Sequence, residues 1–150
     1  MRVDKLDLSR SPIFIPPPLR QVRYNAERFP GAPGVHGIEG GANCQQYAYA
    51  VLRYHGFELP NLRSNELWLD RDHTTPADRM EPCDLVLVHS TPDSWGAHVG
   101  LCVGEGLVLH LSRRIGVPAI EALADMLTRD EYRYLVGFKR PRRVGLAPTR

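Results

Sequence analysis

The stretch AHVGLCVGEGLVLHL, running from Ala97 to Leu111, decides the fold. AHVGLCVG and LVLHL are short apolar strands, and Gly104-Glu105-Gly106 between them reads as a tight turn, so the segment is a β-hairpin. Side chains alternate along a strand, so His98, Gly100 and Cys102 share one face of the first strand, and Val108 and His110 share one face of the second. A three-residue turn over Gly104–Gly106 sets Cys102 opposite Val108 and Gly100 opposite His110. His98 then lies diagonally from His110, within reach of a second imidazole. A two-residue turn would flip the parity and send the two rings to opposite faces.

Working outward from the hairpin, DLVLVH (84–89) reads as a further apolar strand and YLVGFKRP (134–141) as a final one. Pro118 can open a helix with apolar positions at Ile120, Leu123, Ala124 and Leu127. Upstream, GAPGVHGIEGGAN (31–43) is a glycine-rich loop that runs into a helix beginning at Cys44. Asn43 is a good N-cap for it, Tyr47, Ala48, Val51 and Leu52 give it one apolar face, and Gly56 stops it. Ser64 to Leu69 reads as a short second helix. A helix followed by a mostly antiparallel sheet is an α+β domain, with the cysteine-bearing N-terminal helix packed on the sheet.

Length and composition fit that reading. The chain has 150 residues, 43% of them apolar, and a formal charge of +2. That is one domain able to bury a core unaided, and nothing in its charge calls for nucleic acid. MRVDKLDLSRSPIF has no apolar core of signal-peptide length, and no segment is long enough to span a membrane. Three widely separated cysteines argue against a disulfide framework, so a cytoplasmic protein is expected, as a monomer or weak oligomer. SPIFIPPPLR carries four prolines, so residues 1–35 are expected to be an extended, surface-wrapping part of the same domain. Residues 36–140 are expected to form the catalytic body and 141–150 a frayed tail.

Cys44 stands where the orphan N–H groups and dipole of a helix stabilise an anion, which predicts a lowered thiol pKa. His98 can take its proton, and His110 can hold the other nitrogen of His98. The oxyanion formed on attack would be held by the Cys44 N–H, with Gln45 or an N–H of the Gly40–Asn43 loop as candidate second donor. Asn43, Gln45 and Trp95 are candidate substrate contacts. Cys83 and Cys102 read as packing residues, and His36, His55, His73 and His89 have no evident partners. A Cys-His-His set can also hold zinc, although no short-spaced ligand pair such as HExxH or CxxC occurs. No cofactor or metal is expected under the thiol reading.

Over roughly Gly40 to Arg140 the chain resembles the NlpC/P60 cysteine peptidases, papain-like enzymes of bacterial cell-wall metabolism. The resemblance rests on NCQQYAYAVLRYHGFELP (43–60), EPCDLVLVHS (81–90) and AHVGLCVGEGLVLHL (97–111). It implies a papain-like α+β fold, with Cys44 as nucleophile, His98 as base and His110 as the third, orienting residue. It also implies an amide hydrolase acting on peptidoglycan-derived or similar small peptides through a thioester. Two features depart from the family pattern: Asn43-Cys44-Gln45-Gln46 replaces Asp-Cys-Ser-Gly, and the loop upstream of Cys44 lacks the family's aromatic-plus-glycine motif. A non-catalytic binding module of the same fold is therefore the other reading.

Overall fold

A computed structural model of the chain describes residues 6–143. The helix α1 (Cys44–Tyr54) begins at the Asn43 cap, whose side-chain oxygen accepts from the Gln46 N–H at 2.9 Å. It ends at His55 and Gly56, the latter in a left-handed conformation. The second helix, α2 (Ser64–Leu69), has the span expected of it.

The strands are β1 (Thr74–Ala77), β2 (Leu85–His89), β3 (His98–Gly104), β4 (Leu107–His110), β5 (Ala119–Ala122) and β6 (Tyr134–Pro141). They form one six-stranded sheet in the order β1-β6-β2-β3-β4-β5, antiparallel throughout. A one-turn helix, α3 (Leu123–Met126), follows β5. Among the described residues no helix is long and apolar enough to cross a membrane.

The hairpin reaches the expected parity by a different route. Glu105 and Gly106 both have positive φ, 58° and 74°, and form a two-residue turn with Gly104 paired to Leu107. Such a turn alone would separate the histidines. A bulge between Cys102 and Gly104 absorbs one residue and restores the pairing of Cys102 with Val108. Leu101 pairs with Leu109, which brings Gly100 beside His110. Here β3 and β4 approach so closely that a Cβ on Gly100 would lie 2.5 Å from a methyl of Val108 and 3.3 Å from the His110 Cβ.

The alternation builds two cores. On one side of the sheet Leu85, Leu87, Val99, Leu101, Val103 and Leu109 pack with Tyr47, Ala48, Val51 and Leu52 of α1. On the other, Val86, Val88, Cys102, Val108 and Phe138 pack with Met126 and Tyr132. The N-terminal segment does more than wrap the surface. Ile15, Leu19 and Val22 are buried in the α1-side core, and the Tyr47 hydroxyl donates to the Leu19 carbonyl at 2.5 Å.

Two expectations need correction. Residues 119–122 form the strand β5, paired with β4 from Leu107↔Ala122 to His110↔Ala119, before any helix starts. A four-residue segment beside an open strand edge gains ladder hydrogen bonds that an isolated helical turn cannot supply, and only Leu123–Met126 remain helical. The expected tail is also shorter than drawn. Pro141 ends β6, and Arg143 bridges to Phe57 and donates to the His55 carbonyl at 2.9 Å. The rest of that tail, 144–150, lies outside the described residues.

The close approach at Gly100 is testable. Gly100→Ala should cost about 1–3 kcal/mol by overpacking. The double variant with Val108→Ala should lose less than the sum of the single losses, because the clashing methyl is gone. Urea melts of the four proteins measure both; strict additivity would show that the methyl is not the obstacle.

Candidate active site

His98 opens β3 and His110 closes β4, so both stand at one end of the sheet. Their rings share a face and meet edge to face, with His98 Nε2 2.9 Å from His110 Nδ1. Tyr132 stacks on the His98 ring, centroids 4.7 Å apart and planes 21° apart. The stack fixes the plane of an imidazole that would otherwise turn about its side-chain bonds.

Behind His110 stands a carboxylate that the sequence reading missed. Glu121, on β5, is 1% exposed and its Oε2 lies 2.6 Å from His110 Nε2. Arg129 forks onto the same carboxylate at 3.0 and 2.9 Å. The order is thus His98, His110, Glu121, Arg129, running across the sheet from β3 over β4 to the edge strand β5 and beyond it. Glu121 was hidden because Pro118–Leu127 also fits a helical period. Read as a strand beside LVLHL, a lone glutamate among Ala119, Ile120 and Ala122 points to a buried polar partner.

Cys44 comes to this end of the sheet from the α1 side. The N–H groups of Val99, Gln45 and Cys44 itself face its sulfur, and the nearby Arg63 charge also favours a thiolate. A Cys44 thiolate would in turn raise the pKa of Tyr132, the ring stacked on His98. The expected lowered pKa does not follow, however. Burial of the side chain against β3 outweighs those donors and pushes the Cys44 thiol up. Burial pushes His98 well below the ordinary imidazole value. The resting pair at neutral pH is therefore thiol and neutral imidazole, not thiolate and imidazolium.

The other candidates divide. The Asn43 side chain is spent on the cap of α1. Gln45 turns inward, its amide donating to the Leu62 carbonyl at 2.9 Å, and Gln46 donates to the Gly37 carbonyl at 2.8 Å. Both glutamine side chains are thus bonded within the fold. In the loop before α1, the N–H groups of Gly41, Ala42 and Asn43 donate to Ile38, Arg23 and Arg28 carbonyls. Those three N–H groups are thus engaged within the fold, whereas the Gln45 N–H faces the Cys44 sulfur.

Trp95 is 68% exposed. It lines an open 310 Å³ cleft with Arg63, Ser64, Asn65, Glu66 and Gly96. The loop that carries it is held by the Trp95 N–H donating to Asp93 at 2.9 Å and the Gly96 N–H donating to the Ser64 hydroxyl at 3.0 Å. His89 accepts from the Thr91 N–H within that loop at 3.2 Å. Opposite, α2 is docked by Trp68 against the bare Cα of Gly137 and by Lys139, whose ammonium donates to the Trp68 and Asp70 carbonyls at 3.0 and 2.5 Å. His55 and His73 serve elsewhere, on Phe14 and Asp70, and His36 lines a separate 420 Å³ cavity. Among the described residues no three His, Cys, Asp or Glu side chains gather to hold a metal ion.

The buried groups make stability acid-sensitive in two steps. His98 is held neutral in the fold but protonates near pH 6.5 when unfolded, so the unfolded state binds more protons below that pH and stability falls. Burial raises the Glu121 pKa, but hydrogen bonds from His110 and Arg129 outweigh this and hold it down to about 2, from an ordinary 4.5. Its contribution is full above pH 4.5 and is lost as pH falls toward 2, on the order of 3 kcal/mol in all. Urea melts from pH 8 to 2.5 should show both declines in the wild type. In Glu121→Gln the lower step should shrink, leaving the part carried by Asp70, whose burial is outweighed by hydrogen bonds from Thr74 and His73 that hold it at about 2, and the upper step should remain.

No protein-family model matches the sequence, and no curated protein matches it. Among solved structures, an NlpC/P60 family protein from Bacillus cereus ATCC 10987 is similar in fold, with a TM-score of 0.50 and 19% identity. The match covers 67% of this chain and 31% of that one, so this chain spans about a third of its neighbour. The α+β architecture, with its antiparallel sheet and few helices, is consistent with that neighbour, and an NlpC/P60-like fold is the coarse conclusion.

Proposed function

We propose that the protein is a cysteine-dependent amide hydrolase of the NlpC/P60 type, with Cys44 as nucleophile, His98 as general base and then acid, and His110 as the orienting residue. The observation that carries this reading is the 2.9 Å imidazole pair at the sheet end to which α1 brings Cys44, whose sulfur faces the Val99 N–H. The fold likeness to an NlpC/P60 protein supports it from an independent side.

In the reaction, the Cys44 sulfur attacks the amide carbonyl as its proton passes to His98. The tetrahedral oxyanion is met by the N–H groups of Cys44 and Gln45 at the start of α1. His98 returns the proton to the leaving amine, and the C–N bond breaks to leave a thioester. Water, deprotonated by His98, then hydrolyses the thioester to a carboxylic acid and free thiol. Because the resting pair is neutral, proton transfer accompanies attack and does not precede it.

The substrate class is a small peptide, peptidoglycan-derived or similar, lying along the cleft between Arg63–Glu66 and Trp95–Gly96. The donor set speaks against the zinc alternative. Both ring nitrogens of His110 are engaged, by His98 and Glu121, and one nitrogen of His98 is engaged as well.

Muropeptides and simple acyl amides incubated with wild type and Cys44→Ala test the assignment. Loss of the nucleophile should cost at least about 10³-fold in kcat. Equal turnover by both proteins would remove Cys44 from the chemistry. Without substrate, alkylation of Cys44 by iodoacetamide should climb steeply above pH 9 and show no plateau near neutrality, as the burial-raised thiol requires.

A further inference from the structure

We propose that the Glu121–Arg129 pair is a positioning device that fixes the tautomers of both histidines and leaves His98 Nδ1 as the site's proton acceptor. What that acceptor is used for rests on the thiol-hydrolase reading; the tautomers themselves do not.

The argument runs outward from the carboxylate. A carboxylate only accepts, and the His110 Nε2 and an Arg129 guanidinium nitrogen converge on the same Glu121 oxygen, at 2.6 and 2.9 Å. His110 therefore carries its proton on Nε2. In a neutral imidazole the other nitrogen is then an acceptor, so His110 Nδ1 must receive the contact at 2.9 Å from His98 Nε2. His98 is consequently protonated on Nε2, and its Nδ1 keeps a free lone pair.

Arg129 makes this work in a buried setting. Glu121 and His110 are each 1% exposed. A carboxylate there with no cation beside it would be an uncompensated buried charge at the end of the histidine chain. The forked guanidinium, 18% exposed along its side chain, balances the carboxylate charge one for one. Glu121 then acts on His110 as a fixed acceptor. Stacking by Tyr132 holds the His98 ring in the plane that the chain of bonds requires.

The readout is nitrogen NMR of the neutral imidazoles above pH 7.5, which distinguishes the two tautomers directly. In the wild type both His98 and His110 should be protonated on Nε2. Glu121→Met/Arg129→Met replaces the ion pair by apolar side chains of similar size, a change that buried pairs often tolerate. With no acceptor behind it, the proton of His110 should move toward Nδ1, that of His98 toward Nδ1 in turn, and kcat should fall by about 10² or more with KM little changed.

Glu121→Gln is the discriminating variant. Its amide oxygen can occupy the position where His110 and Arg129 converge, so it should keep the wild-type tautomers and turn over at least about 10-fold faster than the double variant. A wild-type spectrum with His98 protonated on Nδ1 would overturn the proposal, whether or not the variants fold. So would a folded double variant with unchanged tautomers. The assigned tautomers in a wild type that hydrolyses no amide would sustain the relay and refute the hydrolase reading instead.

Discussion

The bulge between Cys102 and Gly104 sets the parity of the hairpin, and most of the site depends on that parity. A two-residue turn is what Glu105 and Gly106 form, and its twist suits the strands that it joins. Without the extra residue, every side chain of β4 would exchange faces with respect to β3. His110 would enter the core beneath α1, and Leu109 would face Tyr132 and Met126. The bulge lets the favoured turn coexist with a face on which His98, Gly100 and His110 lie together. Gly100 is the second half of the same constraint, because the strands close on its missing side chain.

Once the parity is set, burial governs the electrostatics. The start of α1 offers N–H donors to Cys44, and the Val99 N–H adds another, yet enclosing the sulfur against β3 outweighs them. The same enclosure depresses His98. Two groups whose charged forms are both disfavoured rest as a neutral pair. In the proposed reaction, separating their charge becomes easier only when a substrate carbonyl, itself gaining negative charge, is present to share the same donors. In such a site the helix end acts on the oxyanion at least as much as on the thiol. The acid step attributed to Glu121 follows the same logic in reverse. There hydrogen bonds from two cationic or donor partners exceed the cost of burial, and the carboxylate stays charged.

Much of this was legible in the sequence, for reasons that can be named. Alternation in HVGLCV and VLH fixed which residues face together, and Asn43 before Cys44 marked a helix start. Ser64–Leu69 and Tyr134–Pro141 were legible as a short helix and a final strand. What stayed hidden was non-local. PAIEALADML satisfies a helical period, and only the open edge of β4 makes its first half a strand. Thr74–Ala77 contains Pro76, which argues against a strand except at a sheet edge, and β1 is an edge. The pKa of Cys44 was misread because the helix end is local and visible, whereas burial belongs to the packing of α1 on β3. Glu121 and Arg129 fall 23 and 19 residues after His98 and His110 respectively, across a strand, a turn and a helix, with no motif to join them.

The placement of Trp95 extends the same reasoning to the neighbouring cleft. Residues 89–96 are held by short internal bonds and by one link to Ser64 on α2, so the loop is fixed to a helix that is itself fixed to β6. That docking rests on Trp68 against Gly137 and on Lys139, buried with two carbonyls as partners and lowered by burial to about 8. A buried lysine is costly. Its cost is offset here by the nearby Asp70 charge and by the carbonyl end of α2, where the helix dipole favours a cation. Thus an apolar contact and a charge at the far end of α2 hold Arg63 and Ser64 at its near end, facing Trp95 across the cleft. The histidine pair is ordered from behind by β5, and the cleft is ordered from the side by β6. Both supports come from strands that carry neither Cys44 nor either of the paired histidines.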